Sequence, residues 1–136
     1  MGLVLDTNVF IRAERERGCL DFSRWAEYGD AFISAITVSE LLVGVHRADN
    51  DSRRARRSAF VEAILARLPV LDFTTEVARV HAEALAALTT SGTLIGPHDM
   101  IIGSTALSQG HAVLTSNVGE FRRIPGLEVL DLNRHD

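Results

Sequence analysis

The sequence lacks residues that several classes of functional site require. It contains one cysteine, Cys19, and no lysine, because its fourteen basic residues are all arginine. One cysteine excludes a disulfide framework or a cysteine zinc cluster within one chain. The absence of lysine excludes every mechanism that needs a lysine ammonium group, including nucleotide binding by a P-loop.

Long apolar runs are also absent. No stretch approaches the ~18 residues that would span a membrane. The segment MGLVLDTN has neither the basic region nor the apolar length of a signal peptide. Of the 136 residues, 46% are apolar and 24% are charged, which is typical of a globular protein. We therefore expect one domain over residues 1–136, in a cytoplasmic protein without membrane association.

The net charge of −4 argues at first sight against a nucleic-acid partner. Net charge is a weak guide, because carboxylates around a divalent metal ion have their charge locally cancelled. Two short segments concentrate the arginines: Arg12, Arg15 and Arg17 in the first, and Arg53, Arg54, Arg56 and Arg57 in the second. Both segments are candidates for contacts to phosphate. For the second, a solvated helix face is the favoured interpretation.

Short β-rich runs alternate with longer helical patterns along the chain. Strands are predicted over residues 3–5, 31–36, 69–73, 112–115 and 127–132. Helices are predicted over residues 8–13, 21–28, 37–45, 52–68, 76–88 and 98–109. The strands do not alternate polar and apolar residues, which indicates burial on both faces, as in parallel sheets. The pattern predicts an α/β fold: a three-layer α/β/α sandwich with a mostly parallel central sheet of four to five strands.

Polar residues recur where the predicted strands end, and ligands of open parallel sheets bind at that edge. Asp6 follows the first strand, and Glu40 lies in the first turn after the second. Asp99 begins the helix before the fourth strand, and Thr115 and Asn117 lie where that strand ends and just after it. Carboxylates that converge in one cleft take up protons or bind cations. A site with only oxygen ligands suits Mg²⁺ or Mn²⁺.

Each of these residues also has a purely structural interpretation. Asp6 is a candidate N-cap or turn residue, and Glu40 could pair with Thr37 in a capping box. Asp99 could be a first-turn acid favoured by the helix dipole, and Asn117 a turn residue. A lone histidine near a helix start, such as His98, is usually structural or exposed to solvent. Only the joint placement of the acids favours a site.

Four ordered segments resemble the successive signatures of PIN-domain ribonucleases, specifically VapC-type toxins. They are LVLDTNVFI, ISAITVSELLVGV, GPHDMIIGSTAL and AVLTSNVGEFRRIPGLEVLDL, and they cover nearly the whole chain. The resemblance implies a PIN-like fold and an Mg²⁺-dependent endoribonuclease that cleaves single-stranded RNA, with Mn²⁺ as a possible substitute. It also implies a cognate antitoxin whose tail covers the acidic pocket, and a homodimer. Residues 21–28 and 52–68 are candidate surfaces for these contacts.

The resemblance assigns roles residue by residue. Asp6 matches the first-strand aspartate, Glu40 the glutamate of the T-x-S-E-L segment, and Asp99 the aspartate of the D-x-x-I helix. It implies that Asp6 and Asp99 hold the metal ion, while Glu40 completes the site directly or through water.

The same resemblance does not decide which residue supplies the fourth acidic group of the pocket. Thr115 and Asn117 match a T-x-N/D turn that closes the pocket, and Asn117 counts among the catalytic candidates. Because some relatives carry aspartate at that position, Glu120 is a candidate for the missing charge, and one metal ion is expected at rest. Asn8 is expected to support the pocket.

Two other functions remain as alternatives. Aspartate-nucleophile phosphatases and receiver domains also place an aspartate after the first strand, but they use a lysine, and Asp6-Thr7-Asn8 lacks the second aspartate of the phosphatase motif. The other alternative is a non-catalytic module of the same fold that binds RNA or a partner protein. Metal titration separates that module from a nuclease.

Overall fold

One parallel sheet forms the centre of the fold. In this computed structural model, which describes residues 1–16 and 23–133, the strands are β1 (Leu3–Leu5), β2 (Ala31–Ser34), β3 (Val70–Leu71), β4 (Ala112–Thr115) and β5 (Val129–Asp131). Their order across the sheet is β3-β2-β1-β4-β5, and every neighbouring pair is parallel. The chain starts at the middle of the sheet, builds outwards to β3, and returns to add β4 on the other side of β1.

Helices cover both faces of this sheet. Those in the described part are α1 (Thr7–Arg15), α2 (Ala35–His46), α3 (Asp51–Arg67), α4 (Thr75–Ser91), α5 (Pro97–Gln109) and the short α6 (Val118–Phe121), with a 3₁₀ segment at Ser23–Tyr28. The predicted helix 21–28 corresponds to this 3₁₀ segment, although residues 21 and 22 lie outside the described residues. None of the helices described is long and apolar enough to cross a membrane.

Two apolar cores explain the three layers. Val4 of β1 points to one face, where it packs with Val113 and with buried residues of α4, α5 and α6. Its neighbours Leu3 and Leu5 point to the other face, where they pack with residues of α1 and α3. Because successive side chains of a strand point to opposite faces, a strand buried on both sides must be apolar throughout. The predicted three-layer α/β/α sandwich is confirmed.

The main boundary error lies between β2 and α2. The strand predicted over residues 31–36 stops at Ser34, whose Oγ accepts a hydrogen bond of 3.3 Å from the backbone N–H of Thr37. Ser34 is therefore the N-cap, and the helix begins at Ala35. The predicted capping box of Thr37 and Glu40 is wrong, and Glu40 lies in the second turn of α2, not the first. This hydroxyl ends the strand earlier than its apolar sequence indicates.

Two mid-helix glycines offer a matched test of how tightly α5 packs. A Cβ on Gly103 would collide with Ile124 Cδ1 and lie 3.3 Å from Leu127 Cδ2, whereas a Cβ on Gly44 would meet nothing within 4 Å. We expect Gly103→Ala to lower the free energy of unfolding by about 1–2 kcal/mol, because overpacking outweighs the helix propensity of alanine. Gly44→Ala should raise it by about 0.5–1 kcal/mol. Urea denaturation measures both, and an equal gain in the two variants would contradict the packing described.

Candidate active site

The site begins where β1 and β4 end side by side. Leu5 pairs with Leu114, and the backbone N–H of Asp6 donates to the carbonyl of Leu114 at 3.0 Å. The next side chains therefore meet: Thr115 Oγ1 donates to Asp6 Oδ2 at 2.8 Å. Asp6 Oδ1 accepts from the backbone N–H of Thr7 at 2.7 Å and caps α1. Asp6, only 4% exposed, is thus both an N-cap and a carboxylate of the cleft.

The hydroxyl of Thr115 connects the turn after β4 to the start of α1. Its Oγ1 accepts from the backbone N–H of Asn117 at 2.8 Å and from Asn8 Nδ2 at 3.4 Å. Asn8 Oδ1 in turn accepts from the backbone N–H of Ser116 at 3.3 Å. The amide side chain of Asn8, the hydroxyl of Thr115 and two backbone N–H groups hold the two loops in one position relative to Asp6.

Glu40 is held by the hydroxyl of Thr7, which belongs to a chain of three bonded hydroxyls. Thr7 Oγ1 donates to Glu40 Oε1 at 2.7 Å and lies 3.1 Å from Thr37 Oγ1. Ser34 Oγ donates to Thr37 Oγ1 at 3.1 Å. Sequence reasoning missed Thr7 as a site residue and considered Thr37 only as a cap. The available signal was a hydroxyl directly after the aspartate that ends β1.

The other carboxylate oxygen of Glu40 faces a histidine. His98 Nδ1 lies 3.4 Å from Glu40 Oε2, and the histidine side chain remains 56% exposed. The structural interpretation of His98 is therefore incomplete, because the residue opens α5 and also contacts an acid of the cleft. Through this pair, the start of α5 lies against the second turn of α2.

Asn117 joins the remaining two acids. Its Nδ2 donates to Asp99 Oδ2 at 3.3 Å and to Glu120 Oε2 at 2.7 Å. The structure therefore brings Glu120, the residue considered for the missing charge, to the same place as Asp99. Every predicted site residue lies at this edge of the sheet.

The electrostatics of the cluster favour the uptake of positive charge. Burial, a hydrogen bond with Glu120, and the charges of Asp6, Glu120 and Glu40 raise the pKa of Asp99 to about 7. Burial and the charge of Glu40 also raise the pKa of Asp6, although hydrogen bonds from Thr115 and from a backbone N–H oppose the shift. Negative charge is therefore crowded here, and either protons or a cation would relieve the repulsion.

The donor set fits a small hard cation. In residues 1–16 and 23–133, no three acidic, histidine or cysteine side chains lie close enough together to hold a metal ion as they stand. Mg²⁺ does not need three, because it commonly keeps several waters and binds one or two protein carboxylates. Asp6 and Asp99 are the pair best placed for this, since Asp6 is buried, Asp99 is partly buried, and the charge of Asp6 acts on the pKa of Asp99.

The raised pKa of Asp99 predicts how stability depends on pH in metal-free protein. The unfolded chain ionises Asp99 near 3.8 and the folded chain near 7, so folding stability is lost as the pH rises through this window. Asp99→Asn removes this loss. We expect little gain at pH 4 and a gain on the order of 2 kcal/mol at pH 8, after allowing for solvent screening of a half-exposed group.

Urea denaturation in EDTA at the two pH values measures this gain. Glu128→Gln is the matched control, since it removes an exposed carboxylate elsewhere in the fold. A gain for Asp99→Asn that is equal at both pH values would show that the carboxylates do not repel each other.

Comparison with known proteins agrees with this geometry. A family model described as the PIN domain matches residues 3–127. The ribonuclease VapC1 of Rickettsia felis is 40% identical over 136 residues, which is 100% of both chains. The tRNA(fMet)-specific endonuclease VapC of Salmonella typhimurium is 38% identical over 135 residues, covering 94% of this chain and 96% of that protein.

Solved structures show the same similarity. The crystal structure of VapBC2 from Rickettsia felis bound to a DNA fragment from their promoter superposes with a TM-score of 0.86 at 26% identity, covering 98% of this chain and 100% of the other. DNA-bound VapBC from Salmonella typhimurium superposes with a TM-score of 0.81 at 35% identity, covering 96% and 98%. Since sequence and structure both match along nearly its whole length, the chain belongs to the PIN-domain family, and within it to the VapC ribonucleases.

Proposed function

We propose that this chain is a Mg²⁺-dependent endoribonuclease that cleaves single-stranded RNA and is the toxin of a toxin–antitoxin pair. The observation that carries the proposal is the acidic cluster at the switch point between β1 and β4, where Asp6, Glu40, Asp99 and Glu120 come together. The names of the relatives, a ribonuclease and a tRNA-specific endonuclease, support RNA as the substrate.

Asp6 and Asp99 are the residues that would hold the metal ion, with Glu40 in support. Bound by these residues, a divalent ion would supply Lewis acidity toward a phosphodiester oxygen and would make water a better nucleophile at neutral pH. Glu40 is held through Oε1 by Thr7, and its Oε2 lies 3.4 Å from Nδ1 of the exposed His98. From this position Oε2 would accept the proton of the attacking water. Asn117 donates from one amide group to both Asp99 and Glu120, and this offsets part of their repulsion.

A single-stranded substrate is supported by the shape of the approach. A cleft of about 300 Å³ between α1, α2 and α3 is lined at one end by Thr7 and Glu40. A cleft of this volume cannot enclose a double helix, but it admits part of an extended single strand. Single strands are also the form in which RNA sequence is most readily recognised.

The partner proposal rests on the solved relatives. Several are VapBC complexes, and the neighbour from Mycobacterium tuberculosis, VapBC-5, is described as a member of a family of toxin–antitoxin systems. We infer an antitoxin that covers the acidic cluster of this chain, and a homodimer as the assembled form. Cleavage should therefore stop when the cognate antitoxin is added.

The first test is removal of single carboxylates. Asp6→Asn, Asp99→Asn and Glu40→Gln should each lower the rate of RNA cleavage by about 10³-fold or more, because each removes charge that the metal ion or the water needs. Glu120→Gln should cost about 10–100-fold, as expected for a supporting residue. Asp6→Asn should change stability by no more than about 1 kcal/mol, since an asparagine oxygen still caps α1.

Cleavage of end-labelled RNA measures these rates, with Glu128→Gln as the control that stays active. EDTA should stop cleavage, and Mg²⁺ or Mn²⁺ should restore it. Full activity of Asp99→Asn would contradict the proposed site, and cleavage that persists in EDTA would contradict the metal requirement. Sequencing of RNA 5′ ends after brief expression, with Asp99→Asn for comparison, would identify the target.

A second test changes the corner of the pocket at Asn117. Asn117→Asp adds a carboxylate and removes the N–H groups that join Asp99 and Glu120. We expect lower stability without metal, by about 1–3 kcal/mol, and tighter binding of Mn²⁺. Thermal melts in EDTA and calorimetric titration measure the two effects. Unchanged Mn²⁺ affinity would place Asn117 outside the metal site.

A further inference from the structure

An arginine-lined cleft adjoins the proposed active site. It has a volume of about 520 Å³ and lies between the end of α1 and the first half of α3. Its charged and aromatic lining residues are Glu14, Arg15, Arg53, Arg56, Arg57 and Phe60. The cleft is thus lined by four guanidinium groups and one carboxylate, although the net charge of the chain is −4. We call this space the arginine cleft.

The arginine cleft is continuous with the smaller cleft that ends at the acidic cluster. The two share Glu14, Arg15, Arg57 and Phe60 as lining residues, and the smaller one reaches Thr7 and Glu40. Along α1, from its first residue to its last, the distance is about 12 Å at 1.5 Å per residue. That distance corresponds to roughly three to four nucleotides of a stacked strand at ~3.4 Å each.

The arginines differ in how much binding capacity they retain. Among the described residues, the guanidinium groups of Arg15 and Arg56 have no hydrogen-bond or ion-pair partner. Arg57 donates only Nη1, to the carbonyl of Gly44 at 3.0 Å. Arg53 is engaged in a two-oxygen contact with Asp49, at 3.0 and 2.9 Å. Arg15, Arg56 and Arg57 therefore have donors available for a ligand.

The chemistry of these donors fits a nucleic-acid strand. A guanidinium group presents paired N–H donors that match the oxygens of a phosphate. Phe60, which packs partly against the core, adds an aromatic wall to the cleft. A polyanion that approaches Asp6, Glu40 and Asp99 is repelled by them. Arg15 and Arg57 line the same cleft as Glu40, and their positive charge offsets part of this repulsion.

We propose that Arg15, Arg56 and Arg57 bind phosphates of the RNA strand next to the cleaved one, so that the arginine cleft guides the strand to the acidic cluster. This inference rests on the proposed ribonuclease function. An acidic segment of a protein would also satisfy the arginines. The passage from the arginine cleft to Glu40 favours an RNA strand instead, because such a strand carries a phosphate at every nucleotide along that passage.

The test measures how salt changes RNA binding. Binding of a labelled single-stranded RNA of about 12 nucleotides is followed by fluorescence anisotropy in EDTA at several salt concentrations. Each phosphate contact contributes about −0.7 to the slope of log affinity against log salt. In the double variant R15Q/R56Q, the slope should become shallower by about 1.4 and the affinity near 0.1 M salt should fall about 25-fold.

Two control variants make the result specific. R54Q removes one positive charge from α3, against the two removed in R15Q/R56Q. Arg54 does not line the cleft and instead binds Asp51 and the carbonyl of Ala48, so the slope should not change. R15K/R56K keeps both charges and should keep the slope. Thermal melts check that each variant is folded.

The outcomes separate this inference from the proposed function. A wild-type slope in folded R15Q/R56Q overturns the inference, even if the wild-type chain cleaves RNA. The same holds if R15Q/R56Q loses affinity only for polyglutamate, which would assign the cleft to an acidic protein segment. If the slope of R15Q/R56Q becomes shallower as expected, but even the wild-type chain does not cleave RNA, then the cleft binds RNA and the proposed activity fails instead.

Discussion

The parallel pairing of β1 with β4 is the constraint on which the rest of the site depends. It places the ends of two strands, which are far apart in sequence, next to each other and brings Asp6 within 2.8 Å of Thr115. The strands are buried and apolar on both faces, so their register is set by the two cores and not by the polar groups at their ends. The cores therefore position side chains that would repel one another if they were free to move apart.

This arrangement has an energetic cost, and hydrogen bonds offset part of it. Asp6 is nearly fully buried, yet it accepts hydrogen bonds from Thr115 and from the backbone of Thr7. Glu40 has Thr7, and Asp99 has Asn117. Each acid thus has a neutral donor, while no arginine ion pair involving Asp6, Glu40 or Asp99 occurs among the described residues. Neutral donors hold carboxylates in place but do not neutralise their charge. The negative charge of the cluster therefore favours the binding of a cation.

The sequence predicted the fold class and the position of the site well, because both follow from patterns of a few residues. Continuous apolar strands predicted a parallel sheet, and acids after those strands predicted a cluster at one edge. The error at residues 34–37 has a different cause: Ser34 ends β2 through a side-chain hydrogen bond, and apolar periodicity carries no information about that contact. The contact between Thr7 and Glu40 joins two helices, and only the packed structure shows it.

Separation of charge resolves the conflict between an acidic chain and an anionic substrate. The acids of the candidate active site are buried or half-buried at the sheet edge, and the arginines of α3 lie on an adjoining surface. A cation at Asp6 and Asp99 would cancel much of the negative charge that a substrate meets at the end of its path. The net charge of −4 sums over both regions and describes neither. Because fields at a surface decay within about 10 Å in salt, it is the local distribution that decides which partners can approach.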